Sequence, residues 1–87
     1  MPSSIFLSRQ AEKFLTGLRD AALYARLRKA IDALDEEPRP SGCVKLTGCT
    51  DVYRIRIGDS RVIYQVRETA LTVFILTIGH RREVYDR

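Results

Sequence analysis

The sequence predicts an α+β domain of order β-α-α-β-β-β, an N-terminal helix hairpin packed on a mainly antiparallel four-stranded sheet. Three observations predict it. Apolar residues recur with helical spacing up to residue 34; beyond a Pro38-to-Gly42 break they alternate with a period of two; and Gly58-Asp59 punctuates two such alternating runs. Eighty-seven residues, 45% of them hydrophobic, supply one compact core with no room for another, so residues 1–87 are read as a single domain.

Ile5-Phe6-Leu7 reads as a short first strand. Ser8 is placed to cap a helix carrying Ala11, Phe14, Leu15 and Leu18, the i, i+3, i+4, i+7 stripe of one buried face. After a break at Gly17 to Asp20, a second helix puts Leu23, Leu27, Ala30, Ile31 and Leu34 on one side. Its other side holds Arg26, Arg28, Lys29, Asp32 and Asp35. Pro38, Pro40 and Gly42 end it. In Val52 to Ile57, Tyr53, Ile55 and Ile57 alternate with Arg54 and Arg56; Val62, Tyr64 and Val66 then alternate with Arg61, Ile63, Gln65 and Arg67. These two runs form a β-hairpin about Gly58-Asp59. Leu71 to Ile78, apolar on both faces, reads as a central strand, followed by a charged tail from Gly79 to Arg87.

Several function classes fall on composition. The longest apolar run is far short of the roughly 20 residues a membrane helix needs, so no membrane association is expected. Met1-Pro2-Ser3-Ser4 does not open a secretory signal, which favours a cytoplasmic protein. Cys43 and Cys49 match neither a zinc nor a redox spacing, and one histidine is too few to complete a metal set; reduced thiols and no cofactor are the expectation. The net charge of +4 is unevenly placed. Residues 1–38 hold six basic and six acidic side chains, whereas residues 39–87 hold nine and five, the whole excess. A polyanion-binding surface is therefore sought in the second half.

The hairpin register locates that surface. For the apolar faces of the two strands to coincide, Ile57 must lie opposite Ser60, Arg56 opposite Arg61 and Arg54 opposite Ile63. A slip of one residue would drive arginines into the core. Arg54, Arg56 and Arg61 then gather on the face away from the helices. Like charges directly across a ladder repel, which an anion between them would relieve. The bland alternative is a solvated face whose long basic side chains cover apolar surface with their stems. The tail favours the anion, because it adds His80, Arg81, Arg82 and Tyr85 near the hairpin. Guanidinium groups to hold phosphate oxygens and a ring to stack on a base are what a phosphodiester and its nucleotide require.

Three stretches carry a resemblance: Lys45-Leu46-Thr47-Gly48, Val52 through Val66, and Ile78-Gly79-His80-Arg81-Arg82-Glu83-Val84-Tyr85. Together they resemble the RelE/ParE toxin superfamily, most nearly its RelE branch, the toxins of type II toxin–antitoxin modules. The resemblance covers essentially the whole chain. It implies a ribosome-dependent mRNA endonuclease (mRNA interferase) that cuts codons in the A site without a metal and so inhibits translation. The ribose 2′-hydroxyl attacks its own 3′-phosphate in line and the 5′-oxygen leaves. Carried over residue by residue, Arg61 and Arg81 neutralise the phosphate, Arg81 is placed to protonate the leaving oxygen, and Tyr85 orients or stacks on the attacked nucleotide. Arg54, Arg56, His80 and Arg82 would hold RNA. The implied partners are a small cognate antitoxin encoded next door, the ribosome and its mRNA, with a toxin–antitoxin hetero-oligomer binding operator DNA.

The chain departs from its relatives at several positions. Arg54 and Arg56 stand where studied members carry lysines, and an arginine does not give up its proton as a lysine does. Tyr85 and His80 are the alternative bases, with ordinary pKa values near 10 and 6.5. The turn position before Arg61, often aromatic in the family, is Ser60 here, and the sequence ends two residues after Tyr85, where some members continue into another helix. Two further readings stand beside the nuclease: a ParE-like toxin that inhibits DNA gyrase, and a catalytically inactive module that binds RNA or its antitoxin.

Overall fold

The computed structural model describes residues 4–67 and 72–80. Its elements are β1 (Ser4–Leu7), α1 (Arg9–Thr16), α2 (Ala21–Ala33), β2 (Val44–Lys45), β3 (Val52–Ile57), β4 (Ser60–Arg67) and β5 (Thr72–His80). They build one five-stranded sheet in the order β1-β5-β4-β3-β2. Only the β1–β5 pairing is parallel. The α+β class and the helix hairpin are as expected; the sheet has one more strand than the four expected. The addition, β2, pairs Val44 and Lys45 with Arg54 and Tyr53. Two residues are too few to show a hydrophobic period, which is why the strand is invisible in sequence.

Both helices start on the caps their sequence supplies. Ser8 Oγ accepts from Ala11 N at 3.1 Å and Asp20 Oδ1 accepts from Leu23 N at 3.0 Å, each satisfying a donor that the first helical turn leaves free. The stripes they set go inward: Ala11 and Leu15 from α1, Leu27, Ile31 and Leu34 from the second helix and its end. They meet Tyr53, Ile55, Ile57, Val62, Tyr64 and Val66 of the hairpin and Val73, Ile75 and Ile78 of β5 in one core. Truncating a fully buried member such as Leu27 or Ile31 to alanine would cost about 2–5 kcal/mol.

The loop after α2 is latched to the sheet by two tyrosines. Tyr64 donates its hydroxyl to the Pro38 carbonyl at 2.8 Å, and Arg39 Nε donates to the Tyr53 hydroxyl at 2.8 Å. The tyrosine rings stack at 5.9 Å between centres. Burial raises the Tyr64 pKa well above its ordinary value, helped by the neighbouring Cys43 and Tyr53.

Leu76 of β5 is an extra residue in the ladder. Thr77 pairs with Ile63 but Ile75 pairs with Tyr64, so Leu76 is a bulge. The start of α1 stitches it in place: Ser8 N donates to the Ile75 carbonyl at 2.9 Å and Ser8 Oγ to the Leu76 carbonyl at 2.7 Å. Two residues further on, the Gln10 side-chain amide takes the place of a neighbouring strand. Its Nε2 donates to the Ile78 carbonyl at 2.7 Å and its Oε1 accepts from Ile78 N at 2.9 Å. The end of β5 is thereby held on the side where β1 has already stopped.

Candidate nucleic-acid interface

The register of the hairpin is the one its apolar pattern demands. Ile57 pairs with Ser60, Arg56 with Arg61, Ile55 with Val62 and Arg54 with Ile63. Because Tyr53, Ile55, Ile57, Val62, Tyr64 and Val66 all lie in the helix-side core, Arg54, Arg56 and Arg61 project from the opposite face. Arg56 is exposed, whereas Arg54 and Arg61 are half-buried. Directly paired residues stand about 4.5–5.5 Å apart at their Cα atoms, so the Arg56 and Arg61 side chains rise side by side. Arg61 is flanked on its other side by Gly79, which has no side chain to stand between it and the β5 end.

Apolar side chains stand beside the three arginines. Leu46, Val52 and Ile63 form a second small buried cluster on this face. Leu46 is held over the sheet by its N–H to the Val52 carbonyl at 2.9 Å, which brings the Lys45-to-Gly48 stretch beside the arginines. By strand alternation, no aspartate or glutamate among the described residues of β1, β3, β4 and β5 projects from this face. An anion arriving there meets guanidinium groups beside an apolar cluster, surroundings that strengthen charge-assisted hydrogen bonds.

His80 is not brought to this face. Its ring packs edge-on against Phe14 of α1, centres 5.5 Å apart at 65°. It lines a groove of about 390 Å³ with Asp20, Leu23, Arg26, Gly58 and Asp59 on the helix side. The bulge at Leu76 is the reason: it shifts the alternation by one, so that Ile78 and His80 turn inward where an uninterrupted strand would have turned them out. That groove mixes two acidic with two basic side chains and has no strong preference for an anion. Ser60, fully buried, faces the same side as Val62, so its departure from the family's aromatic residue does not alter the arginine face. Arg81, Arg82 and Tyr85 lie outside the described residues, as does Leu71, the expected first residue of the last strand.

Two contributors escaped the sequence reading. Gln10 gave no signal, since its role depends on where β1 stops relative to β5. Arg67 did give one: it alternates in step with Arg61, and the structure places it exposed on the same face.

The site is thus three arginines side by side on the outer face of the sheet of a small, basic α+β domain. A family model described as the ParE toxin of the type II toxin–antitoxin system parDE matches residues 5–85. The chain belongs to this toxin family, and within the RelE/ParE superfamily its relatives lie on the RelE side. The mRNA interferase toxin RelE of Escherichia coli (strain K12) is 35% identical to it over 65 residues, 70% of this chain and 67% of that protein. The toxin of the archaeal RelE–RelB complex from Pyrococcus horikoshii OT3 superposes with a TM-score of 0.81 at 34% identity, covering 97% of this chain and 100% of that one. RelE in the intact Escherichia coli RelBE toxin–antitoxin complex superposes with a TM-score of 0.77 at 26% identity, over 90% and 95% of the two chains.

Proposed function

We propose that this protein is the toxin of a type II toxin–antitoxin module and acts as a ribosome-dependent mRNA endonuclease, cutting the codon in the A site. The observation that carries the reading is the convergence of Arg54, Arg56 and Arg61 on one face of the sheet, in a chain whose relatives include RelE mRNA interferases. Cleavage proceeds by attack of the ribose 2′-oxygen on the adjacent phosphorus. A bond forms from the 2′-oxygen to phosphorus, the bond to the 5′-oxygen breaks, and the products are a cyclic phosphate and a 5′-hydroxyl. Negative charge grows on the phosphoryl oxygens as this happens, and Arg61 is the described side chain assigned to meet it. Arg81 joins it in charge neutralisation and hydrogen-bonds the leaving 5′-oxygen, which takes up, through water, the proton that the 2′-hydroxyl gives up, and Tyr85 orients the attacked nucleotide. Arg54 and Arg56 hold neighbouring phosphates. As arginines they stay charged throughout, which makes them binders and not bases.

The partner that silences the toxin is a small antitoxin, as in the RelE–RelB complexes, and the pair would bind operator DNA. The proposed site of action, on ribosomes, supports a cytoplasmic location. A second reading, inhibition of DNA gyrase, is favoured by the ParE description of the family. Controlled expression with and without the neighbouring open reading frame, followed by mapping of mRNA 5′ ends, separates the two. The nuclease gives growth arrest with new ends inside codons of translated message, relieved by the antitoxin; SOS induction with intact message would select the gyrase reading.

A further inference from the structure

The arginines occupy one end of the sheet's outer face, and the other end is aromatic. Ile5 and Leu7 of β1 pack toward the core, so Phe6 between them points to the arginine side, where it is 54% exposed. Phe74 lies between the buried Val73 and Ile75 and points the same way. The two are register partners, and their rings stack 5.6 Å apart at 23°. The row continues across the sheet from Phe74 to Gln65 and from Gln65 to Val52. Arg67, exposed, sits two residues along β4 from Gln65, diagonal to Phe74. Four residues of β4 separate Gln65 from Arg61, roughly 14 Å at the rise of an antiparallel strand.

We propose that Phe6 and Phe74, flanked by Arg67 and Gln65, form a base-stacking platform that holds message nucleotides next to the cleaved codon. The proposal rests on the nuclease reading and extends it along the same RNA strand. Its chemistry favours nucleic acid over a protein helix. Two rings flanked by a guanidinium and a carboxamide are too small an apolar patch to seat a helix. They do match the alternation of flat base and charged phosphate along a single strand, in which an aromatic ring takes any base and a cation takes the phosphate beside it. Among the described strand residues, none that projects from this end of the face is an aspartate or glutamate.

The test is single-turnover cleavage on ribosomes programmed with a natural message or with one made abasic at the nucleotides flanking the A-site codon. Phe6→Leu keeps apolar bulk and removes the stacking ring. It should lower kcat/KM on the natural message about 5- to 100-fold, the loss expected for one stacked base. Phe6→Trp should restore cleavage, and on the abasic message wild type and Phe6→Leu should be equal. The thermal unfolding midpoint of each variant checks that the fold is intact. Wild-type cleavage of the natural message by Phe6→Leu overturns the platform and leaves the nuclease standing. A defect that persists unchanged on the abasic message places the rings against something other than the flanking message, and a defect confined to antitoxin binding makes them a protein contact; each rejects the proposal. A wild-type protein that cuts neither message removes the nuclease reading and the platform with it.

Discussion

Arg61 occupies the narrowest position on the arginine face, half-buried between Arg56 on one side and Gly79 on the other. In the proposed mechanism, removing it takes away a fixed cation where phosphoryl charge develops. Arg61→Ala should therefore reduce cleavage by about 100- to 1,000-fold in a single-turnover assay. Arg61→Lys should recover only part of this, because an ammonium lacks the planar fork that grips two oxygens at once. Tyr64 acts on the other side of the sheet, through stability. Its buried hydroxyl, bonded to the Pro38 carbonyl at 2.8 Å, keeps its proton well beyond the ordinary tyrosine range. The unfolded chain ionises this tyrosine near pH 10 and the folded chain does not. Its stabilising contribution is thus complete below about pH 10 and falls away as the pH rises above it. Denaturant titrations of Tyr64→Phe should show a loss of about 1 kcal/mol at neutral pH and a shallower decline than wild type above pH 10.

Two short elements fix the frame on which the arginines stand. The β3–β4 turn needs Gly58, whose φ of +60° is disfavoured for a residue with a Cβ. A Cβ there would also come within 3.2 Å of the Arg26 guanidinium, the movable end of a long side chain. The backbone strain therefore dominates, and Gly58→Ala should lower stability by roughly 1–2 kcal/mol in equilibrium unfolding. At the end of β5, the Gln10 amide supplies both bonds that a neighbouring strand would have made to Ile78. Gln10→Ala leaves the Ile78 N–H and C=O without those partners at the residue before Gly79. We expect about 1–3 kcal/mol of destabilisation. Amide exchange should speed up at Ile78 and its neighbours while the β3–β4 pairing stays protected, a local signature that a general loss of packing would not give.

At the scale of the molecule, one sheet divides two tasks. The helix side carries the apolar core and the outer side carries the charge, so altering the outer side changes binding with little effect on folding. Arg56 is the exposed member of the arginine group. Arg56→Gln should weaken ribosome association for all messages alike. The slope of log K against log salt should become shallower by about 0.7, the share of one single-strand phosphate contact. An unchanged slope would mean that Arg56 touches no phosphate.

Hydrophobic alternation alone determined the hairpin register. Tyr53, Ile55 and Ile57 can share a core with Val62, Tyr64 and Val66 in only one alignment, so the arginine face was legible before any coordinates. The Ser8 cap was legible for a similar reason, since it acts on a backbone donor three residues away. Tertiary structure decided whatever depends on contacts distant in sequence. The Leu76 bulge, stitched by Ser8 from 68 residues away, turned His80 toward Phe14 and off the arginine face. Two-residue β2 exists only because β3 is there to pair with it. The pairing of β1 with β5 brought Phe6 beside Phe74. A period of two states which residues share a face within one strand; which strands lie side by side, and where a ladder takes in an extra residue, is settled only when the whole sheet closes over its core.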